Sequence, residues 1–296
     1  MPGRRYLREC DEDMRTEAPE ATQADASAAD AQSSLASGKA PALPTGSPRQ
    51  SHGPSPERLL QLQRTIGNRG VARLLSRSPS QTGQVSQNVE EALINPSADG
   101  ETTFHWTANY DFEITDDAIY GIVKLGMDVF PGVSSDEATT ARQDARKEFQ
   151  RLFNGRFDVV EDGVFGATRR LYLGMDWILS PTDGTPHATV SLAPGAPATS
   201  EQTSRSLWHV AEPATVHAHE TAHLFGLLDE YVDLNVRDRS STAKTGVRED
   251  HSIMGAYPTE GVSQAEMKDR HALRIAQMIF KAAGKAATKL TVKRAK

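Results

Sequence analysis

Cysteine is almost missing from this chain. Cys10 is the only one in 296 residues, which excludes an internal disulfide framework and a cysteine-rich zinc site; any bound metal must rely on histidine and carboxylate. Long apolar runs are missing too, since none approaches the roughly 18 residues of a membrane-spanning helix. There is no excess of positive charge, and the formal net charge of −6 argues against nucleic acid as the main partner. Arg4, Arg5 and Arg8 stand near the start, but acidic residues follow and no apolar h-region does, so no Sec-type signal peptide is expected. The expectation is synthesis in the cytoplasm, with any export by another route.

Aromatic side chains are absent between Tyr6 and Phe104, and every other one lies at or beyond Phe104. Residues 16–57 are mostly Ala, Ser, Pro, Gly, Thr and Gln, which cannot bury enough apolar surface to offset the entropy of ordering. Residues 1–87 therefore read as a disordered leader and residues 88–296 as the folded domain. One island interrupts the leader, at 57–77. There Leu59, Leu62 and Ile66 share a helical face, Gly67-Asn68 break it, and Val71, Leu74 and Leu75 resume it. Arg58, Arg64, Arg69, Arg73 and Arg77 cover the other side. Such an amphipathic segment reads as a docking peptide, or else as a transient helix within a linker.

Beyond the leader, Phe104, Trp106, Ala108, Tyr110, Phe112 and Ile114 alternate with polar residues and predict a half-buried strand. Val123 to Val129 predict a second strand, Leu171 to Leu179 a third, and Ala188, Val190 and Leu192 a shorter fourth. Helical spacing over 135–153 puts Ala138, Ala141, Ala145, Phe149 and Leu152 on one face, with Asn154-Gly155 as the stop. Two more helices are expected near 213–226 and 264–282. The class is α+β with one mixed sheet and no internal repeat.

The helix near 213 reads HETAH from His219 to His223. Residues at i and i+4 share a face, so both imidazoles can reach one cation at about 2.0–2.1 Å. Glu220 is displaced round the helix, poorly placed to ligate and well placed to act as general base on a bound water. Neutral imidazoles with an open position suit a catalytic Zn2+. The alternative is a buried helix whose histidines only hydrogen-bond. His217 points to another side, and His209, His251 and His271 lack partners at useful spacing. Asp233, Asp238 and Asp250 could help to hold a structural Ca2+, although a solvated loop explains them as well.

The longer stretch HETAHLFGLLDEY, His219 to Tyr231, resembles the metzincin metallopeptidases, whose pattern is H-E-x-x-H-x-x-G-x-x-H with Asp last in a few members. Gly226 would then end the helix in a φ > 0 turn. The resemblance implies Asp229 as third ligand, with Glu230 beside it as the alternative. The family also carries a methionine turn beneath the zinc, commonly Ser-x-Met-x-Tyr, and this chain has Ser252-Ile253-Met254-Gly255-Ala256-Tyr257. Met254 would be an apolar floor rather than a ligand. Tyr257, one residue later than the pattern places it, and Tyr231 are the two candidates for a tyrosine reaching the substrate oxyanion; ordinary packing is the other reading of each. The resemblance covers roughly residues 104–280. It implies a zincin fold with an active-site helix and a C-terminal helix, and hydrolysis of peptide bonds in a protein or peptide substrate. His187 to Ala193 is the expected edge for pairing with an extended substrate.

The island LQLQRTIGNRGVARLL in turn resembles a short segment, approximately L-Q-R-x-x-G-N-x-A-V-x-x-L-L, found before toxin or enzyme domains associated with extracellular contractile injection systems; Gly70 replaces the usual Ala. It implies an effector cargo that associates with such a particle through residues 57–77. The contrasting expectation is a non-catalytic adaptor of the particle that retains a zincin scaffold.

Overall fold

Alternation along β2 (Thr103–Ile114) buries Ala108, Tyr110, Phe112 and Ile114 and leaves the intervening polar side chains outward, as a one-faced strand requires. β3 (Ala118–Val129) lies at the centre of the sheet and is buried on both faces over its first half. In the computed structural model, which describes residues 80–97, 100–162, 167–197, 203–285 and 289–296, these strands belong to one mixed sheet. The sheet also contains β1 (Gln81–Ala92), β4 (Phe157–Glu161), β5 (Thr168–Trp177), β6 (Ala188–Ala193), β7 (Leu207–His209) and β8 (Leu290–Arg294). Its order is β1-β2-β3-β5-β4-β8. β3 runs parallel to β5 and β6, and the β1–β2, β2–β3, β4–β5 and β4–β8 pairs are antiparallel.

One edge of β3 is shared. β2 pairs with it only over Ile119–Ile122, and β6 takes over at Leu125–Val129. The sheet therefore forks. Lys124 and His187 bridge the fork to Asp111 of β2, through Lys124 Nζ at 2.6 Å and His187 Nε2 at 3.3 Å.

Helix α1 (Ser135–Phe153) begins at a capping box between Ser134 and Glu137 and buries the predicted face of Ala138, Ala141, Ala145, Phe149 and Leu152. It packs on β5 and on α2 (Ala214–Leu224), which in turn lies against β2. After a single turn, α3 (Tyr257–Glu260), the amphipathic α4 (Asp269–Ala282) crosses to β1, β4 and β8. Aromatic rings join the layers: Phe225, at the end of α2, stacks on Phe149 at 5.5 Å and lies tilted against Tyr110 at 4.7 Å. Truncating Phe225 to Ala should cost about 3–5 kcal/mol through lost contacts and a cavity.

Several expectations need correction. Residues 81–87, assigned to the leader, belong to β1, and all twelve residues of that strand pair with β2. Only Val85 and Val89 of β1 are buried, so the strand is ordered by its backbone ladder and carries almost no apolar signal. The segment expected to be an edge, His187 to Ala193, is covered only in part: β3 flanks β6 on one side, while β7 pairs on the other over Ser191–Ala193 and not over Ala188–Val190. The last helix starts at Asp269 rather than 264, because the backbone at Glu266 pairs with His251 and Ile253 instead. β4, β7 and β8 were not anticipated. The leader's expected disorder over 1–79 and its 57–77 island lie outside the described residues. Among the described residues, no helix is long and apolar enough to cross a membrane.

Candidate metal centre

Helix α2 is enclosed on nearly every side, with Thr215, His217, Ala218, His219, Thr221, Ala222, His223 and Leu224 buried. Neighbours fix its rotation. Thr215 donates to Glu148 of α1 at 2.9 Å, and the Trp106 indole of β2 donates to the His223 carbonyl at 2.9 Å. The helix ends at Gly226, whose φ of +85° is the expected left-handed turn. A Cβ there would also push on the flexible end of the Met278 side chain at 2.7 Å, so the backbone conformation is what favours glycine.

That turn folds the chain back on the helix. The Leu227 carbonyl accepts from His223 Nδ1 at 2.8 Å, and the Ile253 carbonyl accepts from His219 Nδ1 at 2.8 Å. Each Nδ1 therefore carries a proton, which leaves each Nε2 as the nitrogen that can offer a lone pair. Asp229 Oδ1 faces both lone pairs, 3.1 Å from His219 Nε2 and 3.4 Å from His223 Nε2. These three ligand atoms lie within 4.8 Å of one another and form a buried group that could hold a metal ion. Three converging lone pairs out of water require a cation among them, and Oδ1 has no other donor among the described residues. The donor set thus fits a metal ion. Without metal a proton plays that part. Burial alone would lower the pKa of His219, but the Asp229 carboxylate outweighs it and raises the value to about 9. Burial would likewise raise Asp229, yet the His223 and His219 rings hold it well below the usual carboxylate range.

Glu220 stands beside the group, Oε1 at 3.9 Å from His219 Nε2, and burial raises its pKa. The buried Met254 belongs to the core, and its carbonyl accepts from Glu230 N at 2.6 Å. The turn at 252–255 thus ties His219 to the strand of chain that carries Asp229. The Tyr257 ring lies 5.7 Å from the His219 ring, and burial raises its pKa. Tyr231 donates its hydroxyl to Asp229 Oδ2 at 3.0 Å.

Glu230 turns the other way. Arg270 of α4 binds it at 2.5 and 2.6 Å, Ser252 donates at 2.5 Å, and His271 Nε2 lies at 3.1 Å. Burial would raise the Glu230 carboxyl, but Arg270 and His271 hold it down at about 2. It does not enter the metal-ligating group. The expected calcium ligands do not converge either: Asp250 pairs with Arg270 and Asp233 lies 3.7 Å from Arg239. No second group of three potential ligands forms among the described residues. His217 stacks on Trp208 at 4.5 Å with Nε2 3.2 Å from the His209 carbonyl, off the ligating face as its spacing implies.

Sequence reasoning passed over three residues. Glu212, before α2, has its pKa raised to about 7 by burial and then by Glu220. Arg239 is buried behind Asp229, and Glu91 of β1 binds it through both oxygens at 2.8 and 3.1 Å. No local pattern marks these residues, and Glu91 and Arg239 meet across 148 positions of sequence. Among known proteins, no family model, no curated sequence and no solved structure matches this chain.

Proposed function

We propose that the chain is a zinc-dependent endopeptidase of the metzincin type, carried as a toxin or effector cargo by a contractile injection system. The observation that carries the peptidase reading is the convergence of His219 Nε2, His223 Nε2 and Asp229 Oδ1, with Glu220 next to them on the same helix. His219, His223 and Asp229 would hold the zinc. When bound, zinc supplies Lewis acidity and lowers the pKa of a coordinated water to about 7. Backbone carbonyls at Ile253 and Leu227 keep the two imidazoles in the ligating tautomer. Glu220, raised by burial, takes the proton of the attacking water and passes it to the leaving amine. Tyr257, at the His219 ring, is the tyrosine we place at the substrate oxyanion, while Tyr231 serves Asp229 instead. Particle association through residues 57–77 rests on the leader's resemblance alone. Made in the cytoplasm, the protein would reach its target inside the particle.

Glu220→Gln keeps the shape and removes only the base. We expect unchanged 1:1 zinc content and hydrolysis of a peptide library at least about a hundredfold slower. Chelator should abolish the wild-type activity. A zinc-replete Glu220→Gln protein that turns over as fast as wild type would overturn the mechanism. Zinc without hydrolysis of any substrate by either protein would favour a non-catalytic adaptor.

A further inference from the structure

Asp229 has two oxygens, and they live in different surroundings. Oδ1 faces the two imidazoles. Oδ2 accepts from the Tyr231 hydroxyl at 3.0 Å and lies 3.8 Å from Arg239 Nη2. Arg239 is 3 % exposed, so its position is dictated by partners rather than by water. Glu91 grips it through both oxygens, the Tyr231 carbonyl accepts from Nη1 at 3.2 Å, and its guanidinium lies 5.1 Å over the Tyr231 ring. A planar fork can bind Glu91 on one side and still present Nη2 to Asp229, which a lysine could not do.

We propose that Tyr231 and Arg239, anchored by Glu91 of β1, clamp Oδ2 and confine Asp229 to donating one oxygen to the metal. The inference rests on the reading of His219, His223 and Asp229 as a metal centre. A carboxylate can bind a cation through one oxygen or two. If Asp229 swung both in, it would fill the position that a catalytic site must leave open for water. The clamp thus makes Tyr231 and Arg239 positioning residues, and it gives the otherwise bland β1 a task at the site. The plainer account is that Glu91–Arg239 merely fastens β1 to the loop. Under that account, variants melt earlier but bind metal as before.

The test uses the full chain with cobalt and with zinc. In Tyr231→Phe, which removes one hydroxyl and no volume, we expect zinc to bind about 10–100-fold more weakly by chelator competition. The cobalt d–d absorption should weaken as the freed Oδ2 joins the coordination sphere. Glu91→Gln should move both readouts in the same direction and less far. Folded Tyr231→Phe with the wild-type cobalt spectrum, and zinc affinity within about twofold of wild type against that expectation, would overturn the clamp and leave the metal centre standing. A wild-type protein that binds neither metal would overturn the metal centre, and the clamp with it.

Discussion

Helix α2 faces Asp229 directly and strand β1 reaches it through Arg239, and the two could hardly differ more as sequence. α2 carries the donors in a local pattern, His219 and His223 one helical turn apart, and its neighbours only fix their tautomer. β1 buries just two side chains, Val85 and Val89, and contributes none of the three residues that could hold a metal. Yet its Glu91 fixes Arg239, which stands behind Asp229. A motif names the candidate ligands, whereas their orientation comes from segments that have no motif at all.

The largest effect should come from removing β1. Deleting residues 1–79 should leave thermal stability and zinc binding unchanged. Extending the deletion through residue 92 strips β2 of the longer of its two partners, leaving only β3 over Asp111–Ile114, and removes Glu91 from Arg239. Breaking a buried ion pair costs up to about 3–5 kcal/mol, less here because Asp229 and Asp233 still face the guanidinium, against a typical stability of about 5–15 kcal/mol. A cut at residue 86 removes half of β1 and should already lower the melting temperature. If the protein lacking residues 1–92 melts like the full chain, β1 is no part of the site and the contrast with α2 collapses.

Asp229 and Glu230 sharpen the comparison, because neighbours in sequence have opposite fates. Asp229→Ala should weaken zinc binding by about a hundredfold or more, the upper end of what even indirect support of a ligand is worth. Glu230→Ala should leave the affinity of the folded protein near wild type. Instead it takes one partner each from Arg270, which keeps Asp250, and from Ser252 and His271, and should destabilise the fold by about 1–3 kcal/mol. The reverse ranking, measured by chelator competition and thermal melting, would make Glu230 the ligand.

Those two carboxylates also mark where the sequence stops being legible. Register along a helix is local, so the ligating face of α2 and the exclusion of His217 from it follow from spacing alone. The left-handed turn at Gly226 follows from the one residue type that adopts it at little cost. The choice between Asp229 and Glu230 depends on Arg270, forty residues away and on another helix. The two tyrosines separate only once Tyr231 is seen to face Asp229. The same limit hid β1 and β8. In QTGQVSQNVEEA the two buried valines sit four apart, which looks no more like a strand than like a helix. Aromatic density pulled the expected boundary toward Phe104, although ladder hydrogen bonds, which leave no trace in composition, extend the sheet back to Gln81.

The smallest expected effect lies where the sheet forks. His187 is held on the backbone of Lys124, accepting at Nδ1 from its N–H at 3.0 Å, so its Nε2 carries the proton that faces Asp111. That hydrogen bond, then Lys124, outweighs partial burial and lowers the Asp111 pKa to about 2. A carboxyl whose folded pKa is depressed contributes stability above its unfolded value, about 3.9, and loses it as pH falls. The contribution should therefore be whole at pH 6 and fade between about pH 4 and about pH 2. Solvent on the 40 % exposed carboxylate keeps it below about 1 kcal/mol. Asp111→Asn should accordingly melt about 2–4 °C or less below wild type at pH 6. The gap should be mostly closed near pH 2, where the wild-type carboxyl is itself half protonated. A gap that persists unchanged into acid would mean that the fork is held by shape and not by the ionised Asp111, and that its two branches need no electrostatic tie.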